Sequence, residues 1–330
     1  MPRFRPIVAG LAFSLLLQAG CRSANSLASR AIDTPPAATQ APPAVPAAPA
    51  AAPAAPARLP PLLVGNTAEV AADAVDATAK GPRGRSLVGL ARRFLGRPYQ
   101  AFSLDQGPGE RLRLDLTHFD CFLFVEQLLA LVNSHRVSTR TAAVEDFSRH
   151  VQKLRYEDGQ VDYCHRHHYF SRWAAAAERQ GYVVNLTPFL PGAVSRSRRL
   201  NFMSTHAASY APLKQPRNLA CIQALEKDLL VQQSYVPLAA LPGVMPSLRG
   251  GDIFGLVTRV EGLDVTHVGL VDGRDAIHAA PGRGVIRSRD LVRYAAGVQE
   301  VIGVMVLRPI PNPDGQAPAP LSSTPPSSAP

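Results

Sequence analysis

Residues 34–61 constrain the chain most, because this stretch consists almost wholly of alanine and proline. It has too few large apolar side chains to build a core, and proline interrupts any helix. We therefore predict an extended, disordered tether over residues 22–82. Residues 311–330 are rich in proline, serine and alanine and are predicted to form a disordered tail. Residues 83–310 remain for a folded region, and their number is typical of one domain.

The N-terminus has the features of an export signal. Arg3 and Arg5 precede an apolar stretch over residues 7–17, which is too short to span a bilayer comfortably. Small residues then lead to Cys21, in a pattern that resembles the lipobox of bacterial lipoproteins. We predict that residues 1–21 are a lipoprotein-type signal peptide and that Cys21 is lipidated. The alternative is an ordinary cleaved signal in which Cys21 has no role.

Sorting signals and charge indicate where the protein works. The residue after Cys21 is Arg22 rather than aspartate, which by resemblance to Gram-negative lipoproteins predicts the outer membrane. We expect a monomer in the periplasm, held to the membrane by its lipid.

The formal net charge of +10 either keeps the surface soluble or suits polyanionic surroundings such as cell wall or lipid headgroups. The basic residues are scattered rather than gathered with aromatic residues, so nucleic-acid binding is not expected.

The order of helical and strand-like patterns predicts an α+β fold. Apolar spacing predicts helices over 86–93, 120–133, 141–154, 170–179 and 218–232. After two consecutive glycines, short β-rich segments follow at 252–260, 266–271, 276–279, 284–287 and 301–307. Helices followed by a run of short strands indicate an antiparallel sheet packed against helices.

Cys121 has the setting of an activated nucleophile. It begins an apolar helical run directly after Asp120, which can serve as the N-cap. The N–H groups and dipole at a helix start favour thiolate over thiol. Far downstream, His267 and His278 flank an Asp-Gly turn, and a hairpin there can set both imidazoles on one face. We predict a cysteine nucleophile with a histidine base and an orienting partner. The alternative is an inert, buried cysteine.

The motifs around these residues resemble NlpC-type, papain-like cysteine peptidases of bacterial cell walls. They are Gly96-Arg97-Pro98-Tyr99, Asp120-Cys121, Gly251-Asp252, His267-Val268-Gly269 and Ile277-His278-Ala279. A closer resemblance, to a branch described as N-acetylmuramoyl-L-alanine amidase-like, rests on segments 166–170, 201–206 and 262–267. The resemblance covers most of 86–309.

This resemblance implies a papain-like, NlpC-type fold with a helical insertion between nucleophile and base. It implies that Cys121 is the nucleophile, that His267 is the general base and then acid, and that His278 orients His267. Tyr99 resembles the tyrosine that lines the site in this family, although packing is an equal alternative. Histidines that serve only the core are the alternative for His267 and His278.

A cysteine and three histidines lie together in segment 164–169, Cys-His-Arg-His-His-Tyr. Such a cluster suggests a transition metal, yet contiguous histidines cannot all point at one ion, and no further metal motif completes the set. We therefore expect no metal and no cofactor. The segment either contacts the carboxylates or sugar of a peptidoglycan fragment or serves structure alone. The predicted substrate contacts are Arg166, His168, Tyr169, Ser204 and His206.

The cysteine count leaves one sulfur for chemistry. If Cys21 is lipidated, three cysteines remain in an oxidising compartment, namely Cys121, Cys164 and Cys221. An odd number leaves at least one thiol free, as a nucleophile must be. Cys164 and Cys221 either pair with each other or are simply buried.

These features together predict a cell-envelope cysteine amidohydrolase that acts on peptidoglycan or muropeptides. The bond is either the lactyl amide between N-acetylmuramic acid and L-alanine or a peptide bond within the stem. One alternative is a non-catalytic lipoprotein that binds the wall through the same cleft. A lipid acyltransferase of related fold is disfavoured, because such enzymes resemble a permuted chain with histidine before cysteine.

Overall fold

The computed structural model describes residues 59–78, 83–134 and 139–310. The predicted signal peptide, Cys21, most of the predicted tether and the predicted tail lie outside these residues. The α-helices are α1 (Thr67–Thr78), α2 (Arg83–Arg93), α3 (Cys121–Asn133), α4 (Arg140–Arg155), α5 (Phe170–Arg179), α6 (Phe202–Thr205), α7 (Pro216–Glu226), α8 (Leu241–Val244) and α9 (Leu291–Ala296). Among the described residues, no helix is both long and apolar enough to cross a membrane.

The β-strands confirm the predicted α+β class. They are β1 (Leu62–Leu63), β2 (Arg113–Leu114), β3 (Val183–Asn185), β4 (Val194–Arg199), β5 (Leu230–Pro237), β6 (Ile253–Thr258), β7 (Val265–Asp272), β8 (Asp275–Ala280), β9 (Gly284–Ser288) and β10 (Val301–Pro309). Eight of them form one antiparallel sheet in the order β4-β5-β10-β6-β7-β8-β9, with β3 paired to β10. The short strands β1 and β2 form a separate parallel pair.

Helix α3 is the central helix of the core. The predicted inward face, Phe124, Leu128 and Leu131, is fully buried. All the other residues from Leu123 to Asn133 are buried as well, because α4 covers one side of α3 and strand β7 another. A helix enclosed on several sides holds its first residue in a fixed place relative to the sheet.

A buried ion pair joins α3 to α4. The Glu126 carboxylate accepts hydrogen bonds from Arg155 Nε at 2.9 Å and Nη2 at 2.5 Å. Both side chains are almost inaccessible, with exposures of 0% for Glu126 and 1% for Arg155. Arg155 also donates to the carbonyl of Arg113 at 2.6 Å. Two opposite charges taken out of water together depend on each other, since neither has solvent to replace its partner.

The domain begins earlier than the sequence predicts. Within the predicted 22–82 tether, β1 pairs with β2, and α1 packs against α4. One face of α1 buries Ala71, Ala74 and Val75 in the main core. The spacing of these small apolar residues suits one side of a helix, but their low hydrophobicity made them look like a continuation of the alanine-rich stretch. The boundary at residue 82 was therefore wrong for this part.

The predicted helix over 218–232 was wrong in its second half. Helix α7 ends at Glu226, and residues from Leu230 onward form β5, in which 230–235 pair with β4 and the last two residues pair with β10. Strand β4 alternates serine and arginine and is mostly exposed. An edge strand without an apolar face gives no period-two signal, so the pairing that turns 230–237 into a strand was not visible.

Candidate active site

Cys121 is the first residue of α3, and its predicted cap is present. The Asp120 side chain accepts a hydrogen bond from the Leu123 backbone N–H at 2.7 Å, as an N-cap does. Cys121 is half-buried, and the Val268 backbone N–H is near enough to its sulfur to lower the pKa of the thiol. The thiol therefore lies beside β7, close to the residue that follows His267. Among the described residues Cys121 is the free cysteine.

The two predicted histidines meet on the β7–β8 hairpin. His267 Nε2 lies 2.8 Å from His278 Nδ1, and the two rings are perpendicular with centroids 4.7 Å apart. The strand register explains the contact, because Leu270 pairs with Ile277 and the two histidines then lie diagonally on one face. With Nε2 engaged by His278, the other ring nitrogen of His267, Nδ1, has no hydrogen-bond partner among the described residues.

Gly269 makes room for this pair. It lies across from His278, and a Cβ there would fall 2.8 Å from the His278 Cβ and 2.7 Å from Phe254. Neither neighbour has space to retreat, since His278 and Phe254 are both buried. Glycine in the His-Val-Gly motif is therefore a packing requirement of the histidine pair.

Two further residues, Ser288 and Tyr294, complete the cluster, and the sequence analysis missed both. Ser288 on β9 has its Oγ 2.9 Å from His278 Nε2. Tyr294 on α9 stacks on the His278 ring, with centroids 4.5 Å apart, and lies 6.1 Å from the ring of His267. Strand register could have revealed Ser288 from the sequence, because β9 follows β8 after a tight turn and the pairing puts Ser288 on the same face as His278.

Tyr99 also lies near Cys121. Its backbone forms a β-bridge with Phe119, two residues before Cys121. Burial raises the pKa of the Tyr99 hydroxyl, and the nearby negative charges of an ionised Cys121 and of Asp120 raise this pKa further. The same two effects, burial and then Cys121, raise the pKa of Tyr294. Both hydroxyls therefore stay protonated and can donate hydrogen bonds.

The charge state of the resting pair differs from the sequence expectation. Burial and then the Asp120 charge raise the pKa of Cys121 to about 12, although the N–H groups of Val268, Cys121 and Phe122 act in the opposite direction. Burial lowers the pKa of His267 to about 4. Near neutral pH the pair is therefore a thiol beside a neutral imidazole. The predicted preference for thiolate is outweighed by desolvation and by the capping carboxylate.

Alkylation of Cys121 by a neutral reagent such as iodoacetamide is expected to accelerate with pH. Because its pKa is raised to about 12, the thiolate fraction grows with each pH unit across the neutral and alkaline range, by about tenfold per unit. Peptide mapping of Cys121 by mass spectrometry after timed exposure measures the rate. A rate that stays level from mildly acidic to neutral pH would instead reveal a preformed thiolate–imidazolium pair.

The other predicted substrate contacts have partners within the protein. Arg166 is buried, with Nη2 2.6 Å from Asp105, and it lies over the ring of Tyr163. The Nε2 atom of His168 bonds the Tyr163 carbonyl at 2.7 Å. The Arg166–Asp105 contact fastens the segment after Tyr99 to the histidine-rich segment, and the His168–Tyr163 bond closes a turn within the histidine-rich segment.

The three remaining predicted contacts also bond internally. The Tyr169 hydroxyl donates to Glu226 at 2.5 Å, and the backbone N–H of Ser204 donates to the same carboxylate at 3.0 Å. His206 stacks on Phe202 with ring centroids 4.0 Å apart. Tyr169 and Phe202 belong to one small apolar cluster. The structure thus brings Tyr99, Cys121, His267 and His278 together, and it uses the second group to build the inserted region.

Cys164 and Cys221 form a disulfide, with Cα atoms 5.8 Å apart. The bond links the histidine-rich segment to α7, and it removes the one thiol that a metal site in this segment would use. Within the described residues, no group of three or more histidine, cysteine or acidic side chains is arranged to hold a metal ion.

Comparison with protein families identifies the domain. The family model described as AmiA-like, N-acetylmuramoyl-L-alanine amidase-like, matches residues 89–279, a range that contains Cys121 and both histidines. The chain belongs to this family. No curated protein sequence matches it.

Solved structures of related proteins share the fold. An N-acetylmuramoyl-L-alanine amidase from Bacteroides uniformis is 28% identical with a TM-score of 0.64, over 70% of this chain and 100% of that one. A putative xylanase from Bacteroides fragilis is 32% identical with a TM-score of 0.61, over 66% of this chain and 98% of that one. A Legionella pneumophila protein, 17% identical with a TM-score of 0.61, covers 74% of this chain and 95% of its own, and it shows likeness of fold alone.

Proposed function

We propose that this protein is a cysteine amidohydrolase that cleaves the amide between N-acetylmuramic acid and L-alanine in peptidoglycan or its fragments. The observation that carries the proposal is the row of contacts from His267 through His278 to Ser288, which begins on the same strand, β7, that the Cys121 thiol lies beside. Membership of an amidase-like family and a neighbour that is itself called an N-acetylmuramoyl-L-alanine amidase support the choice of bond.

In the proposed reaction, His267 Nδ1 takes the proton of the Cys121 thiol as the sulfur attacks the lactyl carbonyl carbon. The oxyanion that forms is held by the Cys121 backbone N–H at the start of α3. The C–N bond then breaks, and imidazolium His267 gives its proton to the departing amine of alanine. A thioester on Cys121 remains. Water, deprotonated by His267, hydrolyses it and restores the thiol.

Resting-state protonation favours this concerted transfer. With the pKa of Cys121 raised and that of His267 lowered by burial, neither group is ionised before substrate arrives. Negative charge therefore develops on the carbonyl oxygen only as the sulfur attacks, and the backbone N–H groups at the start of α3 are there to stabilise it. A neutral pair is also less prone to react with other electrophiles.

Ser288 determines which nitrogen of His267 can act as the base. If the Ser288 oxygen accepts a hydrogen bond from His278 Nε2–H, then His278 Nδ1 has a free lone pair. That lone pair accepts from His267 Nε2–H, and His267 Nδ1 is left unprotonated for Cys121. If Ser288 donated instead, both tautomers would reverse and His267 would have no lone pair for the thiol. We assign Ser288 as the acceptor and as the residue that positions the tautomers.

Replacing Ser288 with alanine is expected to lower kcat by about 10-fold to 100-fold, with little change in KM. Without the acceptor, His278 is free to take either tautomer, and the base is correctly prepared only part of the time. Ser288→Thr retains the hydroxyl and is the matched variant. Imidazole ¹⁵N spectra of the free protein report the tautomers directly. Unchanged His267 and His278 spectra in Ser288→Ala would contradict the proposal that Ser288 positions the tautomers.

Two features support placement in the papain-like, NlpC-type superfamily. The proposed nucleophile precedes the proposed base in the chain, and the two lie on a helix start and an antiparallel hairpin.

We further propose that the domain works in the periplasm, attached to the envelope by a lipid on Cys21. The basic and apolar N-terminal run ending in Cys21 motivates this. Membrane fractionation tests it, since a Cys21→Ser variant should appear in the soluble fraction.

Product analysis tests the proposed activity. Defined muropeptides incubated with the protein should yield a free sugar part and a peptide whose N-terminus is alanine, both identified by mass spectrometry. Cleavage inside the stem peptide would make the protein an endopeptidase that uses the same residues. Binding of muropeptides without any product would favour the wall-binding alternative.

A further inference from the structure

Arg283 extends from the turn between β8 and β9, next to the histidine pair. The register that pairs Leu270 with Ile277 places Ala280, where this turn begins, level with His267. Gly282 and Gly284, on either side of Arg283, both have positive φ, of 70° and 73°, which fixes a tight turn. Arg283 is exposed, and within the described part of the chain its guanidinium has no hydrogen bond or ion pair.

A second arginine is held against the same turn. The carbonyl of Arg97 accepts from the Val285 N–H at 2.8 Å, and the Gly96 N–H donates to the Val285 carbonyl at 2.8 Å. A Cβ at Gly284 would lie only 2.3 Å from the Arg97 oxygen, so the two backbones are in close contact. Among the residues that the structure describes, the half-buried Arg97 also has no side-chain partner. Arg97 lies two residues before Tyr99 in the chain.

Arginines at the opposite end of the β7–β8 hairpin are paired. Arg287 contacts both Asp272 and Asp275, at 3.1 Å and 3.0 Å, and Arg92 contacts Asp272 at 2.6 Å. Arg92 and Arg287, at the end of the hairpin away from the thiol, therefore have acidic partners. Arg283 and Arg97, at the end near His267, have none among the described residues. Arg283 is also close enough to affect two groups of the site: its charge adds to burial and His267 in lowering the pKa of His278, and it opposes the rise that burial and Cys121 cause in the pKa of Tyr294.

We propose that Arg283, with Arg97 beside it, forms a carboxylate-binding subsite on the rim of the cleft, and that it selects substrates that carry a carboxylate close to the scissile amide. A planar guanidinium offers paired donors that match a carboxylate, and two of them on rigid, adjoining backbones can hold it in place. This inference rests on the proposed amidase function and specifies its substrate class, an acidic peptide or muropeptide. The carboxylate is either that of an acidic side chain or the peptide C-terminus.

The test compares each substrate with its amide-capped counterpart. Three synthetic muropeptides are used: one with both carboxylates free, one with the acidic side chain amidated, and one with the C-terminus amidated. We expect the wild-type protein to prefer the free acid by about 10-fold to 100-fold in kcat/KM over one of the two amides. The amide that loses rate identifies the carboxylate. Equal rates on all three substrates would contradict the subsite.

Variants assign that preference to the arginines. Arg283→Gln should reduce the preference to near unity, chiefly through KM for the acid, and Arg283→Glu should reverse it. Arg97→Gln should weaken it partially. Arg217→Gln, an exposed arginine on α7 paired with Asp162, is the matched control and should keep the full preference. A preference that survives Arg283→Gln intact would overturn the proposal.

Binding separates this inference from the proposed activity. Calorimetry with the Cys121→Ala protein measures the affinity for acid and amide without turnover. If no substrate is cleaved by the wild-type protein, the proposed function fails, yet the subsite still predicts tighter binding of the acid and its loss in Arg283→Gln. Equal binding of acid and amide by Cys121→Ala would overturn the subsite whatever the activity.

Discussion

Cys121→Ala protein should release no detectable peptide from a muropeptide, a loss on the order of 10⁴-fold or more in kcat. No other group at the site can replace the sulfur, because the remaining described cysteines, Cys164 and Cys221, are joined in a disulfide. Chromatography with mass detection of released peptide measures the rate. The change removes one sulfur atom at a half-buried position, so thermal unfolding should remain near that of the wild type.

His206→Ala is a matched control for this loss. His206 was predicted from the sequence as a substrate contact, but in the structure its ring stacks on Phe202 in the inserted region. We expect that variant to retain most of its activity. If Cys121→Ala cleaved muropeptides at the wild-type rate, the nucleophile would have to be sought elsewhere.

Arg155→Met should destabilise the domain by about 3–5 kcal/mol, because it leaves the Glu126 carboxylate buried without its partner. Glu126 has 0% exposure, so water cannot reach it to replace the lost hydrogen bonds. Burial already raises the pKa of Glu126, and Arg155 opposes that rise. The free energy of unfolding, taken from denaturant titrations of both proteins, measures the effect.

The double variant Glu126→Leu/Arg155→Met should recover most of this loss. It removes both charges and fills the space with apolar atoms, so no unpaired charge remains in the core. If the single and double variants were equally unstable, packing around α3 and α4 rather than the ion pair would explain the effect. If Arg155→Met unfolded like the wild type, the pair would have no structural importance.

Local signals were sufficient to place Cys121 at a helix start and to bring the two histidines together. Cys121 lies where an N-cap residue meets an apolar helical run, and both features are encoded within a few residues. The two histidines flank an Asp-Gly turn, and two strands joined by a tight turn have a nearly fixed register. The same local logic gave the limits of α3, α4 and α5 to within one or two residues.

Long-range pairing was beyond the reach of the sequence. Strand β5 forms because it pairs with β4 on one side and β10 on the other, and β4 has no apolar face that would reveal it. Nothing in the residues around Ser288 marks it as part of the site, because its contact with His278 depends on the β8–β9 register. Arg166, His168 and Tyr169 looked available for substrate, since polar residues in sequence do not disclose partners as distant as Asp105 or Glu226.

The charge state of the site also depends on the enclosing fold. A helix start favours the thiolate in isolation, but the enclosure of Cys121 by the core and the adjacent Asp120 raise its pKa. Desolvation is a property of everything packed around a group and is not encoded in its neighbours along the chain. That is why the direction of the pKa shift could not be predicted from the motif.

Intact-protein mass spectrometry of a rapidly quenched reaction tests the central claim most directly. Mixing the protein with a muropeptide and quenching in acid within the first turnover should trap a thioester. We expect an adduct equal in mass to the muramoyl sugar part and located on Cys121 by peptide mapping. An adduct equal in mass to part of the stem peptide would contradict cleavage at the lactyl amide. Turnover with an adduct on another residue would contradict Cys121 as the nucleophile.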